Sequence, residues 1–499
     1  MSSTPVVVAI AITCIATLLG GIHGVRLSRT TSDFYVAGRA VGPLRNASAI
    51  GGEYLSAASF LGIAGLVYTS GVSMLWFPVG YTLGYVVLAA LIAAPMRRSG
   101  AYTIPDFADL RLRSHRLRIL TSLFVLAIGW LYLLPQLQGA GLAVGALTGG
   151  PPWVGSALVA LVVTVNVVSG GMRSVTDLQA VQYWVKLVAI ALPALVLAGI
   201  WYRSGAPAPV MPTPIPDSIA LETYTTYSLL LALCLGTMGL PHVVVRFYTN
   251  ADGRAARRTI LPVVALLGLF YLFPPVYAVL GRAYLPHLPP GTNADEIVLT
   301  LPGIIAPGPV GHTLVVILAV GAFAAFLSTS SGVAIALTGV IDQDLVRPRL
   351  RRWTGGDVDG VVSFRLSALL AISIPWAFSL AVGHVGLATT VGLAFAVAAS
   401  TLCPLLVLGV WWRGLTARGI AVGMILGATG SITAAVLTLS RVTLPEPWTH
   451  LMAQPAAWTV PLAFVSAVLA SLAMPHRVPR NTVRTMIRLH APEGVSDRD

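Results

Sequence analysis

Apolar stretches long enough to cross a membrane recur along this chain from one end to the other, and nothing else in it constrains the fold as much. A hydrocarbon core about 30 Å thick takes roughly 20 apolar residues of helix. Thirteen candidate spans fit that measure: 5–25, 44–70, 73–95, 119–148, 152–172, 181–202, 226–249, 259–283, 309–342, 362–382, 386–411, 417–439 and 457–474. Only short polar breaks separate them, so no soluble domain of useful size is left over. The composition agrees, with 56% apolar residues and only 10% charged ones in 499. Backbone in lipid must satisfy its own hydrogen bonds, which helices of this length do. The reading is an all-α polytopic protein whose surroundings are membrane lipid.

A net charge of +13 could suggest nucleic acid, so the position of the arginines decides. They fall in alternate connections: Arg26 to Arg45, Arg97 to Arg118, Arg173, Arg254 to Arg258, Arg347 to Arg352, Arg413 with Arg418, and the tail from Arg477. That alternation is the orientation signal of a multi-pass protein and gives no support to nucleic-acid binding. It places the N-terminus outside and the C-terminus inside. The first apolar run has no basic residue before it and Arg26, Arg29 and Arg39 after it, the reverse of a secretory signal, which reads as a retained span. Cys14, Cys234 and Cys403 lie within apolar runs without metal-type spacing, and no His, Cys or carboxylate cluster suggests zinc or iron. No cofactor and no obligate protein partner is expected, and the plasma membrane is the expected location.

Three segments differ from simple spans. Residues Arg97 to Arg118 are long for an inner loop and read as holding a short interfacial helix. The outer loops "RSGAPAPVMPTPIPDS" and "LPHLPPGTNADEIVLTLPG" are rich in proline and read as covers over an outer vestibule. The tail, 475–499, is basic and polar and is expected to be mobile.

Two spans carry material that interrupts a helix. The second, "GGEYLSAASFLGIAGLVYTSG", opens with Gly51, Gly52 and Glu53 and holds Ser56 and Ser59; the seventh, "LCLGTMGLPHVVVRF", has Gly236, Gly239 and Pro241 followed by His242 and Arg246. The breaks are placed at Gly51–Gly52 and at Gly236–Pro241. They lie five spans apart, so units of 44–202 and 226–411 would sit inverted relative to each other, with 5–25, 417–439 and 457–474 peripheral to them in a single transporter domain, 1–474. Broken helices at matching places of inverted units point to a binding site near the midplane. The ninth span adds Ser328, Thr329, Ser330 and Ser331 in an apolar segment, with Ala325, Ser328 and Thr329 on one helical face. Such oxygens suit sodium, which takes about five or six of them. The alternative is that the hydroxyls bond back to the preceding turn.

These residues resemble the sodium:solute symporter family over nearly the whole chain. "AFLST" is similar to the family's sodium-site helix, which implies roles as ion ligands for Ala325, Ser328 and Thr329, with the carbonyls of Gly52 and Leu55 as partners. "GGMRSVTDLQAVQ", ending its match at Thr176 and Asp177, and "WWRGLTARGIAVGMILG" resemble two further family motifs. The resemblance implies a five-plus-five inverted-repeat, LeuT-like core. "SAASFLG", "YLLPQLQGAG" and "GLPHVVVRFYT" look like the acetate and short-chain monocarboxylate permeases, with Glu53 where that branch tends to carry aspartate. That implies sodium-driven or cation-driven uptake of acetate, propionate or pyruvate by alternating access.

A small carboxylate needs donors near the breaks. Ser56, Ala57, Ser59, Gly239, His242 and Gln136 or Gln138 are the candidates, with Tyr132 or Phe60 walling the methyl end. Helix N-termini exposed by a break favour an anion. Glu53, Asp177 and Arg246 are the candidate gating or coupling groups. A buried carboxylate must be paired, hydrated or protonated, and a lone membrane histidine more often makes an interhelical hydrogen bond than relays protons. Lys186 is expected to reach the inner surface along its aliphatic stem. An enzyme would need a catalytic histidine, paired aspartates or a metal cluster at a membrane face, and the sequence has none. A passive channel, a symporter of the same family for proline, a sugar or a larger organic acid, and proton-coupled monocarboxylate uptake are the other readings.

Overall fold

The computed structural model describes residues 3–25, 41–212, 219–250, 252–355, 359–383 and 385–491. The expected basic positions Arg26, Arg29 and Arg39, the outer-loop residues 213–218 and the tail beyond 491 lie outside the described residues. The apolar runs fold as helices: α1 (Thr4–Val25), α2 (Pro43–Tyr54), α3 (Ile63–Ser70), α4 (Trp76–Leu88), α5 (Ala94–Ser99), α6 (Ile104–Leu112), α7 (His115–Thr148), α8 (Pro152–Arg203), α9 (Ile219–Gly239), α10 (Pro241–Tyr248) and α11 (Gly253–Tyr271). They continue as α12 (Pro274–Tyr284), α13 (Ile297–Ile305), α14 (Pro309–Val340), α15 (Arg347–Thr354), α16 (Gly360–Ala381), α17 (Leu387–Ser400), α18 (Leu402–Trp411), α19 (Ala417–Leu439), α20 (Trp448–Ala453), α21 (Ala456–Leu472) and α22 (Thr482–His490).

Nine helices among the described residues are long and apolar enough to cross a membrane, or up to eleven if each of two bent pairs counts as one span. One bent pair is α2 with the segment from Ala58 to Ser70, turning by 70°; the other is α9 with α10, turning by 44°. These are the two interruptions expected from the sequence. The 52-residue α8 contains a further bend at Gly171, whose φ of 60° with ψ of −167° is a backbone conformation that side-chain-bearing residues rarely take. That glycine separates the two spans expected at 152–172 and 181–202.

α8 is the hub of the packing. It lies against α14, α1, α2 and α7, while α2 also packs against α14; α9 packs between α4 and α17, and α19 pairs with α21 at one side. The site is therefore assembled where α2, α8, α10 and α14 meet.

The interfacial helix expected between Arg97 and Arg118 is α6. Thr103 caps it by accepting from the Asp106 N–H at 3.2 Å, while the Asp106 carboxylate accepts from the Thr103 N–H at 3.0 Å. The tail departs from expectation. α22 is not free chain: Arg111 of α6, fully buried, donates to Thr482 at 3.2 Å and to the carbonyls of Gly409 and Trp412 at 2.9 and 3.0 Å. Arg98 adds a bond to the His490 carbonyl at 3.2 Å. Leu489 and Met486 turn inward, so an apolar face three residues apart supplies the docking that composition alone hides.

Candidate functional site: a cage between two broken helices

The break in the second span lies at Leu55 and Ser56, three residues beyond the expected glycines. Gly51 and Gly52 are inside α2. Their role is close approach: a Cβ on Gly52 would stand 2.1 Å from the Gln179 carbonyl oxygen, and one on Gly51 would stand 2.8 Å from the Tyr183 ring. The seventh span repeats the pattern. Its break is at Leu240, forced by Pro241 opening α10, whereas Gly239 lets α9 run against the Ala398 carbonyl of α17. Glycine both loosens a helix and admits a neighbour, and here it does the second.

Ending α2 at Tyr54 leaves its last carbonyls without helical partners. The groups that satisfy them define the cage. The Ser328 hydroxyl donates to the Gly52 carbonyl at 2.7 Å, and also lies 3.2 Å from the Ala325 carbonyl of its own helix; the Thr329 hydroxyl donates to the Glu53 carbonyl at 2.6 Å. Lys186 Nζ donates to the Gly52 carbonyl and, at 2.7 Å, to the Leu55 carbonyl. On the far side of the break, the Ala57 N–H donates to Gln136 Oε1 at 2.8 Å. The end of α2 and the Ala325–Thr329 stretch of α14 thus meet, with Ser328 and Thr329 on the Gly52 and Glu53 carbonyls, and the Lys186 ammonium joins them on the carbonyls of Gly52 and Leu55.

Lys186 is the main correction at the site. It does not extend to the inner surface; its side chain is entirely buried. Nine residues separate it from the half-exposed Asp177 on the same helix, which at 1.5 Å per residue is about 14 Å of depth, beyond the reach of the side chain. Asp177 itself, expected in an inner loop as a gating or coupling group, pairs with Arg45.

Glu53 and Arg246 form a buried ion pair between the two broken helices. Arg246 is not an anchor at a membrane surface: its Nε faces Glu53 Oε2, its Nη1 donates to Thr176 at 2.7 Å and its Nη2 to Gln179 Oε1. Gln179 in turn donates to the Ser328 carbonyl at 2.7 Å. Glu53 Oε1 is left without a hydrogen-bond partner and lies against Gly332 of α14, where a Cβ would collide with it. The expectation that Glu53 must be paired is met by a residue 193 positions away.

Next to this network is a chamber wall of rings. Tyr132 lies 4.6 Å from the His242 ring, and both ring nitrogens of His242 lack partners although the residue is buried. The usual interhelical bond of a membrane histidine is therefore missing. Ser59 bonds the Tyr271 hydroxyl at 3.0 Å, Phe395 lies 6.1 Å from Tyr132, and Ser56 is buried at the break. Tyr81 stacks on Tyr271 at 6.0 Å, with its hydroxyl unpartnered. Other candidates have structural duties: Gln136 braces the break, Gln138 donates to the Val382 carbonyl, and Phe60 packs on Phe270 and Gly321. The sequence reading missed Tyr81, Tyr271, Phe395, Gln179 and Lys186. Tyr81 and Tyr85, four apart in an apolar helix, carried a usable signal.

A separate cleft of about 500 Å³ is lined by Gly65, Thr69, Asn293, Asp295, Thr389 and Arg441 among others. Of the two expected cover loops, the second supplies Leu288, Thr292, Asn293, Ala294 and Asp295, and no described residue of the first lines the cleft.

The profile of the sodium:solute symporter family matches residues 34–427. The chain belongs to the sodium:solute symporter family. The "Uncharacterized symporter YwcA" of Bacillus subtilis (strain 168) is 27% identical over 500 residues, covering 96% of each chain. A solved structure of a Na+-coupled sialic acid symporter, substrate-bound and outward-open, superimposes with a TM-score of 0.71 at 15% identity, covering 94% of this chain and 98% of that one. Mhp1, a nucleobase-cation-symport-1 family transporter in a closed conformation, superimposes with a TM-score of 0.53 at 15% identity, covering 92% and 99%. The LeuT-like fold that the family resemblance implied is thus the fold observed. As a sodium:solute symporter the chain is a multi-pass membrane transporter of the sodium-coupled kind, and not an enzyme.

Proposed function

We propose that this symporter takes up a small monocarboxylate, of the size of acetate, propionate or pyruvate, by cation-coupled alternating access. The observation that carries this reading is the charge of the buried cluster. Lys186 and Arg246 bring two formal positive charges and Glu53 one negative. Burial of a net charge is costly unless something offsets it, and a monovalent anion does so. His242, unpartnered at the uncapped start of α10, and the buried hydroxyls of Tyr132 and Ser56 offer donors at the breaks, while the rings of Tyr132 and Phe395 give a short apolar tail a surface to lie on. Ser59, Ala57 and Gly239 shape the wall. A larger zwitterion such as proline would bring no net charge to this cluster.

Uptake of labelled acetate into proteoliposomes, with unlabelled acetate, propionate, pyruvate and proline as competitors, tests the reading. Competition by the three monocarboxylates and not by proline is the expected result. Competition by proline alone would assign the site to another solute.

A further inference from the structure

The cage formed by Gly52, Leu55, Ala325, Ser328 and Thr329 is the place where the family resemblance puts sodium, and its residues do not fit that ion here. We infer that Lys186 is the resident cation of this cage, standing where the ion would.

Three observations support the assignment. Lys186 Nζ donates to the same two carbonyls, Gly52 and Leu55, that would coordinate the ion. An ammonium has only donors, so both carbonyls are already engaged by a positive charge. The hydroxyls are engaged as well. Ser328 and Thr329 donate to the carbonyls of Gly52 and Glu53 at 2.7 and 2.6 Å, so the open end of α2 is already met by donors from α14 as well as from Lys186. Finally, a sodium ion on those carbonyls would share them with the ammonium, and two like charges at such separation in a buried site repel strongly. Lys186 has no route of retreat, since it is buried to 0% exposure and held by α8 about 14 Å below the level of Asp177.

The assignment has a chemical consequence for the proposed function, on which it rests only for what the cage is next to. The cation at this position is covalently part of the protein and does not have to diffuse in.

The test compares sodium responses in the full-length protein in detergent, with choline at equal ionic strength as the control. The readout is the sodium concentration giving half of the sodium-specific rise in unfolding temperature. Because no substrate is present, failure of the monocarboxylate reading leaves this measurement interpretable. In the otherwise unchanged protein, Ser328→Ala and Thr329→Ala are expected to leave the sodium response, both its size and its half-saturating concentration, as it was. In Lys186→Ala, and in Lys186→Met should the alanine variant fold poorly, a new sodium response is expected, and adding Ser328→Ala should weaken it at least about tenfold, as loss of a metal-site group does. A tenfold or larger weakening by Ser328→Ala with Lys186 intact would overturn the inference. So would folded Lys186 variants that gain no response dependent on Ser328.

Discussion

Replacing Gly52 by alanine should separate helices that the transporter needs in contact. The Cβ would stand 2.1 Å from the Gln179 carbonyl oxygen, with the carbonyl carbon at 2.8 Å. The obstacle is backbone, so no side-chain rotation relieves it. Restoring ordinary contact at 3.4 Å requires about 3.4 − 2.1 = 1.3 Å of movement between α2 and α8. That shift would stretch the 2.7 Å bond from Ser328 to the Gly52 carbonyl beyond hydrogen-bonding range and loosen Lys186 from the same oxygen. Overpacking costs roughly 1–3 kcal/mol and loss of a bond to a charged donor about 1.5–3 kcal/mol, together roughly 2.5–6 kcal/mol. Thermal unfolding in detergent and acetate uptake in proteoliposomes should both report it, the first by a clear fall in midpoint and the second by near-complete loss. Gly268→Ala is the control, because a Cβ there meets nothing within 4 Å and alanine is the better helix former. A Gly52→Ala protein with unaltered midpoint and uptake would refute the close-approach argument.

Two other outcomes follow from the buried networks. Arg246→Met leaves Glu53 without its counter-charge and should cost roughly 3–5 kcal/mol; adding Glu53→Gln should recover part of that, and additive unfolding energies in the double variant would show that the pair is not coupled. Ending the chain at Arg480 removes α22 and strips Arg111 of its Thr482 partner and Arg98 of the His490 carbonyl. The expected result is faster proteolysis near α6 and a lower unfolding midpoint, and a truncated protein as resistant as the full chain would count against the docked tail.

The sequence disclosed the parts of this fold that depend on local chemistry. Pro241 ends α9 wherever it is placed, and an apolar run of membrane length folds one way in lipid. Ala325, Ser328 and Thr329 share a helical face by spacing alone, which is why the cage was legible. Its occupant was not. Lys186 is a single lysine in an apolar helix, and whether it rises to a surface or turns inward depends on how deep that helix starts, a tertiary quantity. The direction of the Ser328 hydroxyl is equally hidden, since serine donates or accepts with the same atoms. Glu53 and Arg246 are too far apart in the chain for either to announce the other. The two glycines were visible but ambiguous, and only the position of Gln179 decides between loosening and close packing. At the tail, charge outweighed the inward repeat of Met486 and Leu489 in the reading.

Asp295 has a mechanical consequence beyond its place beside the cleft. Its Oδ2 accepts the Leu387 N–H at 2.9 Å at the start of α17, and its Oδ1 lies where Gly65 of α3 has no side chain. One carboxylate thus ties the start of α17 to the segment that abuts α3 at the edge of the cleft. Parting the two means breaking that bond, and one of its kind holds with about 1.5–3 kcal/mol. A threshold of that size keeps them together most of the time yet lets ordinary heat part them.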